Sequence, residues 1–167
     1  MITRLNHAVL YVRDVSASVA FYGDVLGFRS VMAMPGAAFL QASGSTNDHD
    51  LGLFEIGSAA APSGAGRSTV GMYHLAWEVD TLGTLTELAD KLSAAGALVG
   101  ASDHGTTKSL YGHDPDGLEF EICWIIPADL LTDADNDAKG VRPLDLPREV
   151  ARFGADTRGG IGISIPV

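Results

Sequence analysis

The sequence is poor in cysteine and in basic side chains, and it lacks long apolar runs. Cys123 is the one cysteine among 167 residues, which excludes an internal disulfide and a zinc site built on several cysteines. Lys and Arg number 11 against 21 Asp and Glu, and the net charge of −10 disfavours nucleic acid or a membrane surface as partner. No apolar run reaches the roughly 18 residues of a membrane-spanning helix, and the N-terminus lacks a signal-peptide core. A cytoplasmic protein is therefore expected.

Two successive stretches of the chain show the same order of predicted elements. Alternating apolar residues predict strands, and an apolar stripe at helical spacing predicts one helix in each stretch. The first stretch is predicted to hold a helix at 14–27 and strands at 5–12, 28–34, 37–43 and 51–56. The second is predicted to hold a helix at 82–95 and strands at 72–79, 97–101, 107–111 and 118–124. This pattern predicts an α+β protein of two tandem βαβββ modules that form a curved, partly closed sheet.

The expected domain covers residues 1–126. Module one is predicted at 1–57 and module two at 72–126, joined by a linker at 58–71 that is rich in Gly, Ala and Ser. Residues 127–167 are predicted to be a C-terminal extension. Within it, 129–139 is acidic and loop-like, 146–153 forms a short helix, and the chain beyond Gly154 is extended or mobile.

Three polar residues occupy unusual positions in otherwise apolar strands. His7 and His74 lie in the first predicted strand of each module, and Glu121 lies in the last strand of module two. A carboxylate in an apolar strand is costly to bury unless it meets a cation or a metal. Two imidazoles and one carboxylate, with other positions open, are the ligands of non-haem Fe(II) oxygenases. We therefore predict that His7, His74 and Glu121 bind one metal ion at the centre of the curved sheet.

Two further glutamates are candidates for the metal. Glu55 follows His7 by 48 residues and Glu121 follows His74 by 47 (55 − 7 and 121 − 74), so each module begins with a His and ends with a Glu. Glu119 shares a strand face with Glu121, one step nearer the turn at 114–117. Glu119 is thus the alternative to Glu121, and Glu55 is a possible fourth ligand.

Four segments of the chain resemble a known superfamily. They are residues 6–12 (NHAVLYV), 21–28 (FYGDVLGF), 73–79 (YHLAWEV) and the turn at 114–117 (DPDG) followed by Glu121. Together they look like the vicinal-oxygen-chelate superfamily, which holds glyoxalases, bleomycin-resistance proteins, fosfomycin-resistance enzymes and type I extradiol dioxygenases. The resemblance covers residues 5 to about 126.

Within the superfamily, three residues make the chain most similar to a one-domain extradiol dioxygenase. His49 precedes the fourth strand, where these enzymes carry a catalytic His, and Tyr111 lies ten residues before the ligand Glu (121 − 111). His104 lies in a loop that often carries another His. The resemblance implies Fe(II), or Mn(II), with a catecholic substrate and O₂ as partners. It implies that His49 acts as acid and base, and that Tyr111 hydrogen-bonds a substrate oxygen.

Alternative functions remain open on the sequence alone. A glyoxalase-like isomerase would bind Ni(II) or Zn(II) through His7, Glu55, His74 and Glu121. Along a continuous strand, His49 and Glu55 would both face the cavity. A non-catalytic binder of a small molecule is the third possibility. The superfamily also exchanges modules between chains, so a homodimer is expected. The remaining His113 is predicted to face solvent, whereas Trp77 and Trp124 are predicted to lie in the core.

Overall fold

The computed structural model describes residues 1–65, 68–138 and 140–160, which form two compact units. Unit one comprises Met1–Ala65 and Asp114–Leu118. Unit two comprises Gly66–His113 and Glu119–Val167, as far as these ranges are described. The described strands form two open sheets, of four and five strands. The predicted α+β class is confirmed, whereas the domain boundaries at 57, 72 and 126 stay a prediction.

Unit one has the predicted βαβββ order. Its elements are β1 (Ala8–Val12), α1 (Val15–Asp24), β2 (Arg29–Met34), β3 (Ala37–Gln41) and β4 (Leu51–Glu55). The sheet has the order β1-β4-β3-β2. The pair β1 and β4 is parallel, and the other two pairs are antiparallel. The first and last strands of the module therefore lie side by side.

Local signals at both ends of α1 explain its position. The Asp14 carboxylate accepts the backbone N–H groups of Ser16 and Ala17 at 2.8 and 3.0 Å, which begins the helix. Gly27 follows the helix with a φ of 75°, a conformation that side chains disfavour. Tyr22 is buried on the inner side of α1 and donates its hydroxyl hydrogen to Asp114 at 3.3 Å. The helix is thereby fixed to the turn at 114–117.

One edge of the unit-one sheet is unusual. All six residues of β2 are exposed, among them Met32 and Met34. The pairing between β2 and β3 shifts register between Ser30 and Met32, so Val31 forms a β-bulge. The edge strand is therefore bent rather than flat.

Unit two repeats the same order and adds elements from the C-terminal extension. The repeat consists of β5 (Leu75–Glu78), α2 (Leu82–Ala94), β6 (Leu98–Asp103), β7 (Thr107–His113) and β8 (Glu119–Ile125). The extension adds a 3₁₀ turn (Ala128–Leu130), α3 (Asp133–Asn136), β9 (Arg142–Pro143) and α4 (Leu146–Phe153). The sheet has the order β5-β8-β7-β6-β9. No helix in the described ranges is long and apolar enough to cross a membrane.

Strand β8 separates a core face from an open face. Phe120, Ile122 and Trp124 are buried, whereas Glu119, Glu121 and Cys123 alternate with them and are only partly covered. The core face packs with α2, whose buried residues recur at helical spacing: Leu82, Leu85, Leu88 and Leu92. Trp124 lies in the core as predicted, and Trp77 is only half-buried.

The strands predicted to carry His7 and His74 are shorter than expected. Ala8 pairs with Leu51 and Leu75 pairs with Phe120, and no strand residue precedes these first pairs. Each His is thus the last residue before its strand rather than part of it. At β1 the ladder begins where its parallel neighbour β4 begins, at Leu51.

The extension is more ordered than predicted. The segment expected to be a loop contains α3, because Thr132 and Asp135 form a capping box. The short helix at 146–153 is confirmed as α4. Beyond Gly154 the chain follows unit two: Thr157 accepts the Trp124 indole N–H at 3.1 Å, and Gly160 donates to Ile125 at 2.9 Å. Lys139 and residues 161–167 lie outside the described residues.

Substitution of a glycine in β7 tests the packing of the unit-two sheet. Gly112 pairs with Phe120, and a Cβ at residue 112 would lie 2.5 Å from Phe120 Cζ. Gly112→Ala should lower the free energy of unfolding by about 1–3 kcal/mol, because the ring must leave its place in the core. Urea denaturation measures this change. Gly44→Ala is the matched control, since its Cβ would meet nothing within 4 Å; equal stability of the two variants would contradict the prediction.

Candidate functional site

His74 and Glu121 form the centre of the candidate site in unit two. Ala76 pairs with Glu121 between β5 and β8, so the residue two before Ala76 projects from the same face as Glu121. His74 Nε2 lies 3.0 Å from Glu121 Oε2, and both side chains are largely buried, with exposures of 24% and 14%. Ser109 donates its hydroxyl hydrogen to Glu121 Oε1 at 2.6 Å, which orients the carboxylate. Nearby Ser109 was not predicted, although alternation along β7 places it on this face.

The donor atoms of this pair fit one metal ion. Imidazole nitrogen and carboxylate oxygen are ligands that iron, nickel and zinc accept. Two ligand atoms bound at about 2.1 Å and at right angles lie about 3 Å apart, which matches the Nε2 to Oε2 distance. Glu119 lies on the other side of the same ring, with Oε1 3.7 Å from His74 Nδ1. Glu121 is therefore better placed than Glu119 to share an ion with His74 Nε2.

Tyr111 and His104 lie beside this pair. Tyr111 is paired with Glu121 between β7 and β8, and its ring centroid is 5.8 Å from that of His74. The Tyr111 hydroxyl and His104 Nε2 lie 2.8 Å apart and share a hydrogen bond. Burial raises the pKa of Tyr111, and the negative charge of Glu121 raises this pKa further. The Tyr111 hydroxyl is thus protonated at neutral pH and can donate a hydrogen bond.

The other two predicted residues meet in unit one. The rings of His7 and His49 have centroids 4.4 Å apart, and Phe39 contacts His49 edge-on at 5.1 Å. His7 Nδ1 lies 2.7 Å from the side-chain oxygen of Asn6. Because an amide oxygen only accepts, Nδ1 carries the hydrogen and Nε2 of neutral His7 keeps its lone pair. Asn6, which was not predicted, thus prepares His7 to bind a metal through Nε2.

Glu55 lies on the opposite face of the unit-one sheet from the predicted position. It pairs with Val12, whose side chain is buried, and its carboxylate accepts the Val15 backbone N–H at 3.0 Å. The expectation that His49 and Glu55 face the same cavity is wrong. It assumed a continuous strand, but the chain bends at Asp50, before β4 begins.

The equivalent of Glu121 in unit one is Gly52. Val9, two residues after His7, pairs with Gly52, just as Ala76, two residues after His74, pairs with Glu121. The similar spacing between His and Glu in the two modules, 48 and 47 residues, predicted Glu55 as the equivalent of Glu121 instead. Glu55 is three residues further along β4, and an odd shift turns a side chain to the other face of a sheet. Unit one therefore carries no carboxylate at the position that Glu121 occupies in unit two.

The remaining titratable groups of the open face of unit two have minor roles. Burial raises the pKa of Cys123 to about 11, with the charges of Glu121 and Glu78 adding to the effect, so it is a neutral thiol rather than a thiolate ligand. His113 is exposed, as predicted, with Nε2 3.6 Å from Glu119. Within neither unit, as far as its residues are described, do three His, Cys, Asp or Glu side chains form a metal-binding group. That His7, His74 and Glu121 share one ion stays a prediction.

Comparison with known proteins places this geometry in context. The chain is 34% identical over 120 residues to biphenyl-2,3-diol 1,2-dioxygenase 3 of Rhodococcus globerulus, which covers 71% of the chain and 62% of the relative. It is 30% identical over 120 residues to catechol-2,3-dioxygenase of Bacillus subtilis (strain 168), covering 72% of the chain and 41% of that enzyme. The chain thus spans less than two thirds of the length of these relatives.

Solved structures and a family model agree on the fold. A glyoxylase/bleomycin resistance protein/dioxygenase domain from Frankia sp. EAN1pec superposes with a TM-score of 0.60 at 20% identity, covering 74% of this chain and 92% of that one. The family model of the Glyoxalase/Bleomycin resistance protein/Dioxygenase superfamily matches residues 4–122. This match extends over more than half of the chain and includes every residue of the candidate site. The protein therefore belongs to the Glyoxalase/Bleomycin resistance protein/Dioxygenase superfamily.

Proposed function

We propose that the protein is an extradiol dioxygenase that uses Fe(II) and O₂ to cleave a catecholic ring. His7, His74 and Glu121 are the proposed ligands, and His49, Tyr111 and His104 are the proposed catalytic residues. The two dioxygenase relatives, at 34% and 30% identity, support this activity. The names of both relatives give a substrate with two adjacent hydroxyl groups: biphenyl-2,3-diol in one and catechol in the other. Mn(II) remains the alternative metal, and a homodimer in the cytoplasm remains our expectation.

The position of Glu55 favours the dioxygenase over the isomerase. The isomerase alternative needs four ligands, including Glu55, whereas the dioxygenase needs three. The Glu55 carboxylate accepts the Val15 N–H at the start of α1, and glycine occupies the position equivalent to Glu121. A three-ligand set leaves more positions open for a chelating diol and O₂, which is the requirement of ring cleavage.

The protein residues around the proposed metal have separate tasks. A bound Fe(II) would supply coordination of both diol oxygens and electron transfer to O₂. His49 removes the proton of a substrate hydroxyl and returns a proton later in the reaction. The Tyr111 hydroxyl, kept protonated, donates a hydrogen bond to a substrate oxygen, and His104 orients that hydroxyl at 2.8 Å. In the overall reaction both atoms of O₂ enter the product and the C–C bond beside the diol breaks.

Metal analysis followed by oxygen uptake tests this function. The protein is purified without oxygen, its metals are measured, and a panel of substituted catechols is added with O₂. Stoichiometric iron, oxygen consumption and a yellow ring-cleavage product are expected. Nickel or zinc without oxygen uptake would replace the proposal by the isomerase, and protein that binds no metal would leave a small-molecule binding protein of the same fold.

Glu55→Gln separates the two enzyme classes with a conservative change. The neutral amide loses the favourable interaction with the N-terminus of α1, so stability should fall by less than about 1 kcal/mol. Metal content and the kcat/KM for a catechol should stay within about twofold of wild type, because the side chain lies away from the site. Loss of the metal from this variant would identify Glu55 as a ligand and favour the isomerase.

A further inference from the structure

His104 lies in a tight turn between β6 and β7 that is stabilised by its own backbone and side chains. The His104 N–H donates to the carbonyl of Thr107 at 2.9 Å, and the Gly105 N–H donates to Asp103 Oδ1 at 2.8 Å. Gly105 has a φ of 84°, which allows the reversal of the chain. These bonds define the backbone of the turn, and the Ile126 N–H, just after β8, donates to the Thr106 carbonyl at 3.0 Å.

A buried lysine connects the turn to the C-terminal extension. Lys108 is 1% exposed, and its ammonium group donates to Asp103 Oδ1 at 2.6 Å and to the Gly105 carbonyl at 3.2 Å. Its Nζ also lies 3.3 Å from Glu149 Oε2 of α4. A buried ammonium group is tolerated only when carboxylates neutralise it. Glu149, itself 5% exposed, therefore belongs to the structure that holds the turn.

The extension also contacts the turn directly. A Cβ on Gly105 would lie 2.5 Å from the carbonyl oxygen of Asp135 and 2.8 Å from Ala138 Cβ. The backbone at the end of α3 thus approaches the turn so closely that only glycine fits at residue 105. Arg142, in β9, donates to the second oxygen of Asp103 at 2.9 Å. Three separate elements of the extension therefore meet the five-residue segment at 103–107 or its buried lysine.

An arginine holds these elements to one another. Arg152 of α4 donates to both oxygens of Asp135, at 2.7 and 2.6 Å, and Asp135 is 4% exposed. The same carboxylate accepts the Thr132 hydroxyl at 2.6 Å, which completes the cap of α3. Hydrogen bonds from the Arg152 guanidinium lower the pKa of Asp135, so this carboxyl is ionised at neutral pH.

We propose that residues 132–138 and 140–153, together called the clamp, position His104 so that its Nε2 stays hydrogen-bonded to the Tyr111 hydroxyl. The clamp lies outside residues 4–122, the part matched by the family model. It acts through the turn at 103–107 and Lys108. That the clamp affects substrate turnover rests on the proposed function. That it maintains the hydrogen bond between His104 and Tyr111 does not.

Without the clamp, the turn would lose the contacts that restrict the His104 ring. Two polar contacts to the extension hold its base, one from Lys108 to Glu149 and one from Arg142 to Asp103, and the ring itself hydrogen-bonds Tyr111. Once released, the His104 ring samples several rotamers, and the Tyr111 hydroxyl loses its fixed direction. Substrate turnover then falls, because a catalytic group that is misplaced by even a small distance reacts more slowly.

A double-mutant cycle between Arg152 and His104 tests the role of the clamp. Arg152→Gln breaks the bond to α3, and Arg148→Gln is the matched control, because the Arg148 side chain is exposed and has no polar partner in the described part of the chain. Arg152→Gln should lower kcat about 5- to 20-fold with the metal content unchanged, and Arg148→Gln should not. In the His104→Ala background, Arg152→Gln should have no further effect. An equal loss in both backgrounds would overturn the proposal.

The hydrogen bond itself can be followed without any activity. In protein labelled with ¹⁵N at histidine, Arg152→Gln and Glu149→Gln should shift and broaden the His104 Nε2 resonance, whereas Arg148→Gln should leave it unchanged. An unchanged His104 resonance in both clamp variants would refute the clamp, whatever the enzyme does. A shifted resonance in a protein that consumes no oxygen with any catechol would support the clamp and refute the proposed dioxygenase.

Discussion

His74→Ala should lose its metal and, with it, all turnover of a catechol. His74 Nε2 is 3.0 Å from Glu121 Oε2, and alanine removes one of the two donor atoms that converge in unit two. Metal content should fall from about one ion per chain to less than about a tenth, because a site with two remaining ligands binds weakly. Inductively coupled plasma mass spectrometry measures the metal, and an oxygen electrode measures the turnover.

His113→Ala is the matched control for this experiment. His113 is also a histidine of the unit-two sheet, but it is exposed and its Nε2 lies 3.6 Å from Glu119. This variant should keep its metal and its activity. The melting temperature of His74→Ala, measured on metal-free protein, should equal that of the metal-free wild type within about 2 °C, since His74 lies on the open face of the sheet and not in the core. Full metal occupancy in His74→Ala would disprove the ligand set.

His49→Ala should keep the metal and lose about 10²- to 10⁴-fold in kcat, the usual contribution of a general acid and base. The His49 ring lies 4.4 Å from that of His7, close enough to act on a substrate bound there, but its role is to transfer protons. The two histidines of unit one should therefore give opposite results: His7→Ala loses metal and His49→Ala does not. Parallel metal analysis and single-turnover kinetics distinguish them.

Added imidazole gives this prediction an internal check. A small base can occupy the space that the missing side chain leaves and restore proton transfer without altering the ligands. Activity of His49→Ala should increase with imidazole concentration at constant metal content. If His49→Ala also loses its metal, His49 is a ligand or supports one, and the acid and base role is incorrect.

Part of the site could be predicted from the sequence because the alternation of side chains along a strand is a local property. Glu119, Glu121 and Cys123 lie on one face of β8 in the structure, and a period of two along a single strand predicts this without knowledge of the fold. The order of elements in both modules was predictable for the same reason. Glu119 was correctly recognised as sharing this face, but only the structure shows that it lies beside Nδ1 rather than Nε2.

The rest depends on contacts between distant segments. Glu55 was taken as the counterpart of Glu121 from spacing, but strand register depends on loop length, and the pairing of Val9 with Gly52 assigns that position to glycine. Lys108 looks like an ordinary surface lysine in a strand. Its burial comes from Glu149 and the covering extension, which no local pattern near residue 108 reveals.

The bulge at Val31 bears on how copies of this chain behave in concentrated solution. An edge strand whose apolar side chains are all exposed offers unpaired backbone groups to any other strand, and regular edges of this kind promote aggregation. The extra residue interrupts the hydrogen-bonding pattern of β2 at its middle, so an incoming strand could pair with only half of it at a time. The bulge therefore shortens the stretch of this edge that a second strand could pair with.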